Sequence, residues 1–166
     1  MTWFNTDFIF DLETFPNIFT ACFVYANGKG LRVFEISDRK DDTEELLEFL
    51  RKVKVGGYRL VAFNNLNFDY PVLHYMLEKA RKAFRVGKKV KYTAEEIYGV
   101  AMDLIQSQGD DKFGKSIKTV DVIIPQVDLF KIHHFDNRAR ATSLKMLEFN
   151  MRSSNIEDLP FAVGTI

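Results

Sequence analysis

A single cysteine, Cys22, occurs in the whole chain, so no intrachain disulfide can form, and a reducing compartment suits the composition. Prolines number four and glycines nine, too few for a fibrous or low-complexity chain. No apolar run approaches the ~20 residues that a membrane-spanning helix needs. The opening MTWFNTDFIF has neither a basic leader nor a small-residue cleavage site, the two marks of a secretory signal. Charge is balanced as well: 23 Lys plus Arg against 23 Asp plus Glu leaves a formal charge of zero. A global basic field that grips nucleic acid is thereby excluded, and any such contact must come from local patches. What the chain does have is phenylalanine, 16 in 166 residues, within a hydrophobic fraction of 46%. That length suits one domain with a sizeable core. The core is also the ordinary destination of aromatic side chains.

Patterning predicts strands over residues 7–14, 18–26 and 31–36, with Asn27-Gly28-Lys29-Gly30 as a turn between the last two. Short connections make these three antiparallel. The period then changes. Leu46, Leu47, Leu50 and Val53 fall on one helical face within residues 41–53, after an acidic first turn at Glu44 and Glu45, and Gly56-Gly57 ends that helix. Residues 58–63 read as a buried strand and 70–84 as a second helix with Pro71 in its first turn. A third helix is expected over 93–108, a strand interrupted near Pro125 over 118–130, and a last helix over 141–151, with an irregular tail from 155. A strand reached through a helical crossover normally lies parallel to an earlier one. The fold class expected is therefore α/β, a mixed five-stranded sheet flanked by helices.

Two acids interrupt the first strand. Ile9, Asp11 and Glu13 share one face, with Phe8, Phe10 and Leu12 on the other. Two residues apart on a strand, the carboxylates sit ~6.7 Å from each other at the backbone. Each needs water, a cation or a proton, and a divalent metal with hard oxygen ligands answers that need. An edge strand with both acids solvated answers it too. A further acid, Asp69, follows the fourth strand in Phe63-Asn64-Asn65-Leu66-Asn67-Phe68-Asp69-Tyr70-Pro71. Strand-to-helix junctions of α/β sheets are common ligand sites. If this strand lies parallel beside the first, Asp69 approaches Asp11 and Glu13. Asp69 also suits the N-cap of its helix, and the asparagines suit a turn.

Together these residues resemble the proofreading 3′–5′ exonuclease domain of family B DNA polymerases, within the DnaQ-like (DEDD) exonuclease superfamily and its RNase H-like fold. Phe10-Asp11-Leu12-Glu13-Thr14 is similar to the first motif, and Asn64 to Asp69, followed by Tyr70-Pro71-Val72-Leu73, is similar to the second. The resemblance implies that Asp11, Glu13 and Asp69 hold two Mg²⁺ or Mn²⁺ ions. Asp11 would bridge both, Glu13 would bind the ion that activates water, and Asp69 would act near the second. It further implies that Asn64 and Phe68 touch the terminal nucleotides and that Thr14 lies near the 3′ end. The chemistry implied is two-metal hydrolysis with the ions ~4 Å apart.

One departure is serious. The family's third motif, Tyr or His followed four residues later by Asp on a C-terminal helix, has no counterpart in the chain. His133-His134-Phe135-Asp136 has the wrong spacing. The reading is a single exonuclease-like domain over 1–166 that is C-terminally incomplete, with the helix that carries the third motif absent. A polymerase segment or another chain would supply the missing acid.

Other features have plainer readings beside functional ones. Lys79, Arg81, Lys82, Arg85, Lys88, Lys89 and Lys91, interleaved with Phe84 and Tyr92, form either a phosphate-tracking patch or a solvated helix end. His133 and His134 make a poor chelating pair on a strand, because neighbours point to opposite faces. Asp128, at the end of a strand, is a candidate neighbour of the site and not the expected missing ligand. Ser143-Leu144-Lys145 is similar to a stretch in related exonucleases. Cys22 is expected to be buried and inert. The function expected is a metal-dependent 3′–5′ exonuclease acting on single-stranded 3′ ends, with DNA as substrate, cytoplasmic, and in the host cytoplasm if phage-encoded. The rival is a non-catalytic RNase H-like module that binds nucleic acid or a partner.

Overall fold

The computed structural model describes residues 7–110, 117–134 and 142–153. Chain order runs β1 (Asp7–Thr14), β2 (Ile18–Tyr25), β3 (Arg32–Ser37), α1 (Thr43–Val55), β4 (Arg59–Ala62), α2 (Asp69–Arg85), α3 (Ala94–Asp110), a 3₁₀ turn (Thr119–Asp121), β5 (Gln126–Asp128), α4 (Leu129–His133) and α5 (Leu144–Asn150). One compact unit ends at Asp128, and a second begins at Leu129.

The five strands form one sheet in the order β3-β2-β1-β4-β5. β1 pairs antiparallel with β2, and β2 with β3. The β1–β4 and β4–β5 pairs are parallel. This is a mixed α/β sheet with flanking helices, consistent with the RNase H-like fold. The alternation along β1 carries through to burial. Phe8, Phe10 and Leu12 are buried, while Ile9, Asp11 and Glu13 are exposed, Ile9 at 46%. The buried side joins one cluster with Phe19 and Phe23 of β2, Leu46 and Phe49 of α1, Leu73 and Met76 of α2, and Ile97 of α3. Phenylalanines meet directly in it: Phe10 stacks on Phe23 at 5.9 Å, and Phe23 lies 4.8 Å from Phe49. The turn between β2 and β3 requires glycine at Gly30, where φ is +69° and a Cβ would sit 3.0 Å from the Tyr25 ring.

Two regions differ from the sequence pattern. The strand expected over 118–130 shrinks to Gln126–Asp128. The Ile123 and Ile124 amides donate to the Tyr70 hydroxyl (2.7 and 3.3 Å) instead of a strand neighbour, and strand-like pairing begins where the Pro125 carbonyl accepts from Leu60. The β4–β5 register closes at Asp128, which pairs with Ala62, the last residue of β4. The chain enters α4 there, so the two histidines do not lie on a strand. Within the second unit, Ser143 caps α5 by accepting from the Met146 amide, and the helix starts three residues later than expected. Residues 135–141 and the tail from 154 lie outside the described residues, including Phe135 and Asp136 of the sequence reading. No described helix is long and apolar enough to cross a membrane.

Candidate active site

β1 outruns its parallel neighbour. Its pairing with β4 covers only Asp7 to Ile9, and β4 ends at Ala62. The second half of β1 carries Asp11 and Glu13, and between them Leu12 meets Asp69, the first residue of α2. Phe68 occupies the N-cap, and no side chain caps this helix. The capping role considered for Asp69 is therefore not the one it plays. Its side chain is buried, at 7% exposure, and receives its own backbone N–H and that of Leu12.

The three carboxylates sense one another. Burial pushes the Asp69 carboxyl up to about 7 from the ordinary 3.8, and the Asp11 charge adds to the rise, as Glu13 does more weakly. The helix N-terminus favours a negative charge there, but burial and like charge outweigh it. Burial also raises Asp11, partly offset by the Leu12 N–H, and it raises Glu13, with the Asp11 charge adding to the effect. Asp11 and Glu13 still reach solvent, so the atoms packed round them, and not full enclosure, raise their pKa values. Cys22, opposite Asp11 in the β1–β2 register, is half-buried, and its thiol is held up by burial and by the Asp11 and Glu13 charges.

An all-oxygen donor set of this kind suits a hard divalent cation, and a cation would relieve the repulsion. The set is not closed. Among the described residues, no group of three or more His, Cys, Asp or Glu side chains is arranged to hold a metal ion. The Asp11 and Glu13 charges act on Asp69, and the described residues hold no finished coordination shell.

The turn before Asp69 is held internally. Asn64 adopts the left-handed conformation at φ 60°, one that asparagine tolerates, and its carbonyl accepts from the Asn67 amide at 3.1 Å. Its side-chain oxygen accepts from the Asn67 side chain at 2.6 Å. Phe68 packs against the core. Both proposed nucleotide contacts thus have structural work in this arrangement. Thr14 ends β1, half-buried. Asp128, 5% exposed, accepts from the Asn64 amide at 2.9 Å and from the Leu66 amide at 3.2 Å. The sequence signal for this role is slight, an acid closing the short strand Gln126-Val127-Asp128.

The basic stretch is partly neutralised. Lys79 pairs with Glu96, Arg81 with Glu78, Lys89 with Glu44 and Lys91 with Asp41. Tyr92 is buried, its hydroxyl donating to the Met76 carbonyl, which removes it from any surface stripe, whereas Phe84 is 85% exposed. In the second unit His134 stacks on Phe130. Its Nε2 accepts from the Thr142 amide at 2.8 Å, which leaves Nδ1 to donate to the Phe130 carbonyl at 2.7 Å. That histidine is a packing element.

Residues 9–85 match the model of a family described as predicted 3′–5′ exonuclease related to the exonuclease domain of PolB. The matched segment includes Asp11, Glu13, Thr14, Asn64, Phe68 and Asp69. No curated protein matches the chain, and no solved structure matches it. From β1 to α2, then, this chain is similar to the predicted 3′–5′ exonucleases related to the PolB exonuclease domain.

Proposed function

We propose that the chain is a metal-dependent 3′–5′ exonuclease domain that hydrolyses phosphodiester bonds at single-stranded 3′ ends, with DNA as its substrate. The observation that supports this most is Asp69, a carboxyl that burial, with the Asp11 and Glu13 charges adding, lifts to about 7 beside the two acids of β1. Such uncompensated carboxylates are a common signature of functional sites. Asp11, Glu13 and Asp69 would hold Mg²⁺ or Mn²⁺. Two such ions supply a nucleophile from water at neutral pH and charge stabilisation for the leaving 3′-oxygen. Asp69 sheds its own proton near neutrality before it can serve as a ligand. Thr14, at the open end of β1, would lie beside the terminal sugar. Asn64 and Phe68, on the turn that carries Asp69, would flank the terminal bases. The single domain over 1–166 would need a fourth acid from a polymerase segment or another chain.

The absence of a third motif favours one rival, a non-catalytic RNase H-like module that binds single strands. One experiment separates the two. The chain, alone and together with a segment bearing the third motif, is incubated with a 3′-labelled single strand and Mn²⁺, with Asp11→Ala and EDTA as controls. Laddering that both controls abolish is the result expected. Laddering that survives Asp11→Ala rejects the assigned site. Tight strand binding with no laddering, even after a segment bearing the third motif is added, selects the module.

A further inference from the structure

We propose that Asp128 is a positioning residue, not a fourth ligand: its buried carboxylate grips the turn that delivers Asp69 to β1. Three observations carry this. In the parallel β4–β5 register Asp128 stands beside Ala62, where β4 ends and the turn begins. Its two oxygens are directed to that turn, Oδ1 to the Asn64 amide and Oδ2 to the Leu66 amide. With Asn64 left-handed, amides of the turn converge on the anion, the arrangement by which backbone concavities hold negative charge. Hydrogen bonds to a charged acceptor are about twice as strong as neutral ones. The same strand and its approach grip the chain on both sides of Asp69. The Asn65 side chain donates to Gln126 Oε1 at 2.8 Å, and Gln126 Nε2 donates to the Ile124 carbonyl at 2.8 Å. Just after Asp69, the Tyr70 hydroxyl receives the Ile123 and Ile124 amides. Asp69 is therefore suspended between two anchors on one segment, and Asp128 is the charged one. Its link to catalysis rests on the exonuclease reading, but the mechanical claim does not.

The test uses amide NMR on the full chain without metal or nucleic acid. Asp128→Asn keeps the volume but replaces one acceptor oxygen by an NH₂ that faces a backbone N–H. In the wild type, the Asn64 and Leu66 amides should exchange with solvent at least about tenfold more slowly than unstructured amides. In Asp128→Asn, those two should exchange about tenfold faster while the Leu50 and Leu73 amides keep their rates. The Leu12 amide, a donor to Asp69, should shift in the direction it takes in Asp69→Asn. An unmoved Leu12 resonance would overturn the proposal, since Asp128 would then serve only the turn. So would unprotected Asn64 and Leu66 amides in the wild type, a measurement that needs no variant. If Asp128→Asn unfolds, Asp128→Ser, which keeps one small acceptor, replaces it. Uniform acceleration of every core amide in Asp128→Ser would assign the residue to general folding and reject the positioning role. A chain that stays inactive in the strand assay after a segment bearing the third motif is added sinks the exonuclease reading while leaving these outcomes intact.

Discussion

Asp69 and Asp128 are both buried aspartates, one just past the end of β4 and the other at the end of β5, its neighbour. Asp128 meets two backbone N–H donors from one turn. Asp69 also meets two, its own N–H and that of Leu12, but it faces two more carboxylates besides, and burial, with the Asp11 charge adding, lifts its pKa to about 7. Burial is common to the two, so burial is not what distinguishes them. A buried carboxylate with donors is a fastener. A buried carboxylate facing like charges is a group under electrostatic stress, which a proton or a cation relieves.

The sharpest way to break this contrast is activity. Asp69→Asn should lower cleavage of a 3′-labelled strand in Mn²⁺ by about a hundredfold or more, since a lost ligand removes several kcal/mol of transition-state stabilisation. Unchanged laddering would show that the stress on Asp69 has no catalytic purpose.

Next come two stability effects of opposite sign. Asp128→Ala strips the partner from two turn amides and should destabilise the fold by about 2–4 kcal/mol in urea melts. Asp69→Asn should stabilise it above neutrality. The folded-state pKa of Asp69, about 7, lies above the ordinary 3.8, so the native chain keeps a proton that the unfolded chain has lost. Wild-type stability should therefore fall as pH rises from about 4 to 7, by up to ~1.4 kcal/mol per pH unit and a few kcal/mol in all. The Asn variant should lose that slope. Parallel profiles for the two proteins would mean that Asp69 ionises freely in the native state.

Mn²⁺ sharpens the contrast further. It should raise the wild-type melting temperature more at pH 8 than at pH 5, because a ligand that binds only the native state stabilises it and protons compete for the same oxygens. Asp69→Asn should respond less. The smallest effect belongs to Gln126→Ala, which frees the Asn65 side chain and should cost about 1 kcal/mol. A loss as large as that of Asp128→Ala would move the main anchor of the turn from the carboxylate to the amide pair.

Much of this was legible in the residues. The alternation of Phe8, Phe10 and Leu12 with Ile9, Asp11 and Glu13 sets the two faces of β1, because period-two side chains have no other arrangement on a strand. Apolar spacing locates α1, and the similarity of two short motifs to a known family marks the acids. The shortened β5 was not legible, since it depends on a tyrosine hydroxyl more than fifty residues away taking the Ile123 and Ile124 amides. Nor was the role of Asp128. A Val-Asp pair ending a strand looks the same whether its carboxylate faces water, a metal or a turn.

Local order follows from chain-local terms, namely side-chain periodicity, capping and glycine conformation, and these are written residue by residue. Which buried aspartate is satisfied and which is stressed depends on what the parallel register brings within a few ångströms. Coulomb and hydrogen-bond energies fall off over such distances without regard to separation along the chain. Asp69 and Asp128 are the same residue type with the same burial, and their different tasks exist only once β1, β4 and β5 stand side by side.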